Sequence, residues 1–89
     1  MAEFEHNSEK FGYLNLEDFE HVQKALAALG YDPGKIDGLD GPNTKKAVRE
    51  FQASANIGVD GIVGRDTRTA LVQRLDQEAN RPETPEQTS

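Results

Sequence analysis

The 89-residue chain is 35% apolar and 29% charged, has a net charge of −6 and contains no cysteine. Its length excludes more than one small domain, and the lack of cysteine excludes disulfides, thiol chemistry and cysteine-ligated metals. No apolar run approaches the ~18 residues of a membrane span, and the first thirty residues show no signal-peptide pattern. We therefore expect no membrane partner, and the export route is left open.

The charge is unevenly distributed. Residues 35–75 carry seven Lys and Arg against five Asp and Glu, whereas both flanks are acidic. This segment is less basic than a nucleic-acid-binding surface, but it is compatible with a small anionic ligand. The polar ends cannot bury enough apolar surface to order themselves. We predict a flexible or partly ordered arm over residues 1–14, a folded domain over 15–76 and a disordered tail or linker over 77–89.

The first predicted helix begins at Asn15, a good N-cap residue, and has Glu17 and Asp18 in its first turn. Apolar residues then recur every three to four positions, as on one face of a helix: Leu16, Phe19, Val22, Leu26 and Leu29, with Ala25 between them. Gly30 follows at the position of a left-handed C-terminal cap.

An internal repeat follows the first helix. The pattern D-G-φ-x-G-x-x-T-x-x-A-φ, in which φ is aliphatic, begins at Asp37 and again at Asp60, 23 residues later. Each copy predicts a turn that leads into a helix. We expect Ile36 and Leu39 to anchor the first turn to the core.

The second helix is predicted to begin at Pro42, which suits a first helical position, and to end near residues 53–55. The third is predicted to run from about Arg65 to Asp76. No sustained strand alternation is present, although a short bridge between Ile36 and Val59 is left open. The sequence thus predicts an all-α fold, a compact three-helix bundle with two DGxxGxxT turn–helix repeats.

The repeated residues have structural roles that explain their spacing. Glycines permit backbone shapes or close approaches that a Cβ would block, and Asp37 and Asp60 can accept hydrogen bonds from nearby amides, as in Asx turns. Thr44 and Thr67 can bond exposed amides at the start of their helices. Since the motif occurs twice, a single ligand site does not explain both copies.

Other chemistries fit poorly. Calcium loops require Asp or Asn at alternating positions before the glycine, and neither turn supplies them. His21, with Glu17 one turn earlier, could make half a zinc site, but His6 is the only other histidine and lies in the N-terminal arm. No nucleophile–histidine–acid set, HExxH motif or phosphate loop is evident. We therefore expect no metal, no cofactor and no catalytic residues.

Several segments together resemble the peptidoglycan-binding domain of the type 1, three-helix class. The landmarks are a helix ending in Leu-Gly-Tyr, two Asp-Gly turns and a Phe-Gln pair near the end of the second helix: residues 22–31, 36–38, 41–44, 47–52 and 59–64, with Thr67 and residues 70–71. The resemblance covers about residues 19–75. It implies a non-catalytic, monomeric module that binds peptidoglycan or muropeptides and targets an associated wall hydrolase or other protein to the bacterial cell wall or periplasm.

We expect the ligand beside the first copy of the repeat, between Tyr31 and the start of the second helix. A helix N-terminus favours a carboxylate, Lys and Arg can pair with one, and a tyrosine ring can face a sugar. The candidate ligand-binding residues are Tyr31, Asp37, Gly38, Asp40, Gly41, Asn43, Thr44, Lys45 and Arg49.

Two positions depart from the pattern of this family, which usually has an aromatic residue where this chain has Asp40 and often has one where it has Arg68. These charged residues favour an alternative. In that hypothesis the domain keeps the fold without wall binding and serves as a protein–protein docking module of a phage, secretion or injection assembly.

Overall fold

The computed structural model describes residues 4–80. In chain order the elements are β1 (Glu5–Ser8), β2 (Gly12–Asn15), α1 (Phe19–Ala28), α2 (Pro42–Ser54) and α3 (Arg65–Ala79). The helix α3 is longer than expected and includes residues 77–79, which we had placed in the tail. Residues 81–89 of that predicted tail and the first three residues of the arm lie outside the described residues.

The N-terminal segment forms a β-hairpin that the sequence did not predict. β1 and β2 pair antiparallel, with Glu5 opposite Asn15 and Ser8 opposite Gly12. Leu14 on β2 is buried in the core. The expectation of an all-α fold is therefore corrected to three helices plus a two-stranded sheet. Each strand has only four residues, too few for the alternation of apolar and polar side chains to be read.

A buried histidine connects this hairpin to the last helix. His6 on β1 is 3% exposed, and its Nδ1 lies 2.6 Å from the carboxylate of Asp76 on α3. Since a carboxylate only accepts, Nδ1 is the donor in this bond. Nε2 lies 2.8 Å from the Ser8 hydroxyl, and the oxygen of that hydroxyl accepts from the Phe11 amide across the turn. The network satisfies the buried ring and fixes the hairpin against α3.

The first helix begins later than predicted. Its N-cap is Asp18, whose carboxylate accepts a hydrogen bond from the Glu20 amide, whereas Asn15 accepts from the Glu17 amide in a separate turn. The C-terminus is as predicted. Gly30 has φ +98°, and the Tyr31 amide donates back to the Leu26 carbonyl, as in a Schellman motif.

The other two helices start where the sequence indicated. Pro42 occupies the first turn of α2, after Gly41 as N-cap, and Gly64 is the N-cap of α3. Helix α2 ends in a second Schellman motif in which Asn56 takes the left-handed conformation, with φ 63°.

The core lies where the three helices and β2 meet. Its fully buried large apolar side chains are Phe51 on α2 and leucines and valines that come mainly from the three helices. The buried apolar residues are Leu14, Leu16, Val22, Ala25, Leu26, Ala47, Val48, Phe51, Leu71 and Leu75. Phe19 and Leu29, which we expected in the core stripe of α1, are only partly buried at its edge. Among the described residues no helix is both long and apolar enough to cross a membrane.

Candidate functional site

A buried glutamine holds the first turn (residues 37–41). Gln23 on α1 is fully buried. Its side-chain oxygen accepts from the amides of Asp37, at 3.0 Å, and Gly38, at 2.8 Å. Its side-chain nitrogen donates to the Leu39 carbonyl at 2.9 Å and to the Thr44 hydroxyl at 3.1 Å. One side chain thus bonds two amides and one carbonyl of the turn and attaches the turn to α1.

A second buried glutamine makes the equivalent bonds to the second turn (residues 60–64). The Gln52 oxygen accepts from the amides of Asp60 and Gly61 at 3.0 and 2.9 Å. Its nitrogen donates to the Ile62 carbonyl at 3.1 Å and to the Thr67 hydroxyl at 3.0 Å. The two turns are therefore built alike, each on a glutamine from the preceding helix. We had not assigned a role to either glutamine.

The two aspartates shape these turns. Asp37 accepts from the Leu39 amide and Asp60 accepts from the Ile62 amide, each at 2.9 Å. The bond from the Ile62 amide and a second bond from Gln52 lower the pKa of the Asp60 carboxyl below its usual value. These Asx turns agree with the structural role expected for both residues.

The aliphatic residues beside each Asp-Gly pair are exposed. Ile36 and Leu39 are 39% and 67% exposed, and Val59 and Ile62 are 53% and 62% exposed. The expectation that Ile36 and Leu39 anchor the first turn to the core is therefore wrong. The turn is attached through its backbone to Gln23, so it needs no apolar anchor.

A groove lies beside each turn. The first groove has a volume of about 240 Å³ and is lined by Pro33, Lys35, Asp37, Leu39, Gly41, Pro42, Asn43 and Thr44. The second groove has a volume of about 260 Å³ and is lined by Gln52, Ile57, Gly58, Asp60, Ile62, Gly64, Arg65, Asp66 and Thr67. Each groove thus joins an Asp-Gly turn to the first residues of the helix that follows.

Four of the predicted site residues line the first groove: Asp37, Gly41, Asn43 and Thr44. Thr44 is buried, and its hydroxyl donates to the Pro33 carbonyl at 2.8 Å, so it holds the groove's two sides together. Gly38 belongs to the turn, where its φ of +79° suits glycine.

The other predicted site residues are placed differently. Asp40 and Lys45 pair with each other at 2.8 Å and stay substantially exposed. The Tyr31 ring packs edge-on against Phe51, at 5.8 Å between centroids, and its hydroxyl lies 2.8 Å from the Ser54 hydroxyl. Neither the Asp40–Lys45 pair nor Tyr31 lines the first groove.

Arg49 lies beside the second turn. A Cβ placed on Gly61 would lie 3.3 Å from Nη1 of Arg49 and 3.4 Å from its Cγ. The arginine side chain therefore packs over Gly61 in the second turn, whereas the sequence predicts it beside the first turn.

Arg68 joins two distant segments. Its Nε donates to the Leu16 carbonyl and its Nη1 to the Val63 carbonyl, both at 2.8 Å. A residue that we had interpreted as a departure from the family pattern thus connects the segment before α1 to the second turn.

No group of three or more His, Asp or Glu side chains within residues 4–80 is arranged to hold a metal ion. The buried side-chain polar atoms of this region all have hydrogen-bond partners. Each groove is lined by polar groups, one cationic side chain and one exposed aliphatic side chain. Side chains of these kinds can contact a small polar ligand.

Comparison with known proteins agrees with this interpretation. The chain is 42% identical over 57 residues to the carboxy-terminal processing protease CtpB of Bacillus subtilis, covering 64% of this chain and 12% of that protein. It is 45% identical over 56 residues to the N-acetylmuramoyl-L-alanine amidase CwlL of Bacillus licheniformis, covering 56% of this chain and 16% of the amidase.

A spore cortex-lytic enzyme of Oceanobacillus iheyensis is 42% identical over 57 residues, covering 64% of this chain and 21% of the enzyme. In each of these relatives the chain spans a quarter of the length or less. The sequence model of the peptidoglycan binding domain matches residues 15–71, which include all of α1 and α2 and both turns. The chain belongs to the peptidoglycan binding domain family.

Proposed function

We propose that this domain binds bacterial peptidoglycan without catalysis and thereby holds an associated protein at the cell wall. The observation that carries the proposal is the family match over residues 15–71, which contain both grooves. Two of the similar proteins are an amidase of N-acetylmuramoyl-L-alanine and a spore cortex-lytic enzyme. A domain of this kind acts by raising the local concentration of its partner at the wall.

The first groove is the proposed site for a stem peptide. Peptidoglycan stem peptides carry carboxylates and amides. Lys35 supplies a cation for a carboxylate, and Asn43, exposed in the first turn of α2, can donate to or accept from an amide. Leu39 offers an apolar contact to alanine methyl groups.

The remaining predicted residues take supporting roles in this proposal. Asp37, Gly38 and Thr44 keep the shape of the groove through the bonds to Gln23 and Pro33, and Gly41 is the N-cap of α2. The Asp40–Lys45 pair is adjacent in sequence to the groove and can exchange its internal bond for bonds to the ligand. Tyr31 and Arg49 have structural contacts elsewhere and are not part of the proposed site.

The test is sedimentation of the purified chain with insoluble peptidoglycan at moderate salt. We expect wild type in the pellet, and we expect the double variant Lys35→Ala/Asn43→Ala to remain largely in the supernatant. Lys24→Ala, which removes an exposed cation from α1 outside both grooves, is the matched control. Wild type that stays in the supernatant would exclude the proposed function, and equal loss in the control would show a nonspecific charge effect instead.

A docking role is the second candidate, and two observations favour it. One of the similar proteins is a processing protease, and four aliphatic side chains in the turns or directly before them are exposed, so that a protein partner can cover them. Co-purification of a defined protein partner from the native host, together with absence from the wall pellet, would favour this role. Binding to purified wall by the isolated chain would count against it.

A further inference from the structure

We propose that the second groove is a second binding site of different specificity, which takes an N-acetylated sugar of the same wall polymer. This inference rests on the proposed function. Its first support is the equivalence of the two grooves. Seven residues that line the second groove lie 23 positions after seven that line the first. The second groove is therefore a structural copy of the first in a chain that presents both.

Both grooves also keep an exposed aliphatic side chain at the same position of the turn. Leu39 is 67% exposed and Ile62 is 62% exposed. A single exposed aliphatic residue is common on protein surfaces. Here, however, the glutamine bonds attach each turn without help from these side chains, and both line their grooves. An exposed aliphatic residue at this position in both copies is explained if Leu39 and Ile62 each contact an apolar part of a ligand.

The charges of the two grooves differ, and they select different parts of the polymer. The first groove has Lys35 and Asp37, whereas the second has Arg65 with Asp60 and Asp66. The extra carboxylate disfavours an anionic peptide in the second groove. A neutral sugar fits it better, because carboxylates accept hydrogen bonds from sugar hydroxyls and Ile62 can contact the methyl group of the acetamide.

A repeating polymer can then occupy both grooves at once. Once one groove is bound, the other site meets its ligand at a high effective concentration, which raises the apparent affinity without new contacts. Loss of either groove should therefore weaken retention on the intact wall by more than the intrinsic affinity of that groove suggests.

The test is an amide NMR titration of the full ¹⁵N-labelled chain with a tetramer of N-acetylglucosamine, and separately with a free stem peptide. We expect the sugar to shift amides of residues 57–67 and the peptide to shift amides of residues 35–44. In Ile62→Ser the sugar-induced shifts should disappear. The amount bound to insoluble peptidoglycan should fall about tenfold or more, because only one of the two grooves then holds the polymer.

Val59→Ser is the matched control, since Val59 is 53% exposed but does not line the groove. It should bind sugar like wild type. Sugar that leaves residues 57–67 unshifted, while the chain still sediments with the wall, would overturn the second site and leave the proposed function standing. Wild type that fails to sediment would overturn both, and shifts that Val59→Ser loses equally with Ile62→Ser would overturn the assignment to this groove.

Discussion

The first and second turns achieve the same shape with different supports. Gln23 lies 14 residues before Asp37, whereas Gln52 lies eight residues before Asp60. The glutamine nitrogen reaches the aspartate carboxylate at 3.5 Å in the first turn and at 2.9 Å in the second. The two turns therefore share a pattern of hydrogen bonds to a glutamine side chain. The number of residues between that glutamine and its turn differs.

Their outer contacts differ as well. A Cβ on Gly38 would meet nothing within 4 Å, whereas Arg49 packs on Gly61 and Arg68 bonds the Val63 carbonyl. Two arginines thus contact the second turn, while the first turn is joined to α2 by the exposed Asp40–Lys45 pair. This contrast predicts that the second turn is the more rigid of the two.

The largest effect is expected from removal of the glutamines. Gln23→Leu and Gln52→Leu each leave two or more buried backbone or hydroxyl groups without partners, at ~1–3 kcal/mol each. We expect each to lower the free energy of unfolding by about 3 kcal/mol or more, with the larger loss for Gln52→Leu. Urea denaturation is the measurement, and Gln73→Leu, at an exposed position on α3, is the control. A loss no greater than the control's would contradict the role given to these side chains.

Arg68 and Lys45 occupy corresponding positions in α3 and α2, yet they should differ in effect. Arg68→Ala removes two charge-assisted bonds to carbonyls and should cost about 2 kcal/mol. Lys45→Ala removes an exposed ion pair and should cost ~0–1 kcal/mol. Thermal denaturation of both variants tests this. Arg68→Lys should not restore stability, because a lysine lacks the fork that reaches two carbonyls; full restoration would disprove that geometry.

Alanine at the two left-handed glycines gives a finer comparison. Gly38 and Gly61 have φ of +79° and +73°, so each substitution should cost ~1–2 kcal/mol from backbone strain alone. Gly61→Ala should cost more, because Arg49 must also move. In the background of Arg49→Ala the two glycine variants should become equal. A difference that persists in that background would mean that Arg49 does not brace the second turn.

The smallest effect concerns pH. The pKa of Asp60 is lowered in the folded state, so its stabilising contribution is present above the ordinary carboxyl pKa and is lost as the pH falls through the lowered value. Asp60→Asn keeps the acceptor oxygen but removes the titration. We expect its urea midpoint to fall less than that of wild type between about pH 5 and pH 2. Gln73→Leu, which removes no titratable group and is exposed on α3, should keep the wild-type pH dependence.

The number and order of the helices could be predicted from the sequence because their signals are local, whereas the start of α1 and the end of α3 were predicted a few residues too early. The apolar spacing of α1, Pro42 at the start of α2 and Gly30 after α1 each act within a few residues. The roles of Gln23 and Gln52 were missed because they depend on contacts between elements, and the two have different spacings to their turns. The sequence does contain one signal for these roles, because Gln23 and Gln52 each lie among the buried apolar residues of their helices, α1 and α2.

The same reasoning explains the errors at the candidate site. Asp37, Asn43 and Thr44 follow one another closely in sequence and do meet at the first groove. Tyr31 and Arg49 are predicted at the first groove because of their chemical type. Their neighbours depend instead on the direction of each side chain, which leads Tyr31 to Phe51 and Arg49 to Gly61. Ile36 and Leu39 were assigned to the core because they are aliphatic, and the turn is attached by its backbone instead.

The contact between His6 and Asp76 has a mechanical consequence. These residues are 70 positions apart in sequence but are joined at 2.6 Å, near the two ends of the described segment. Tension applied between residues 4 and 80 is therefore carried first by the contact of β1 with α3, by a short path that bypasses α1 and α2. We expect a pull between these two residues to separate β1 from α3 before it strains either groove.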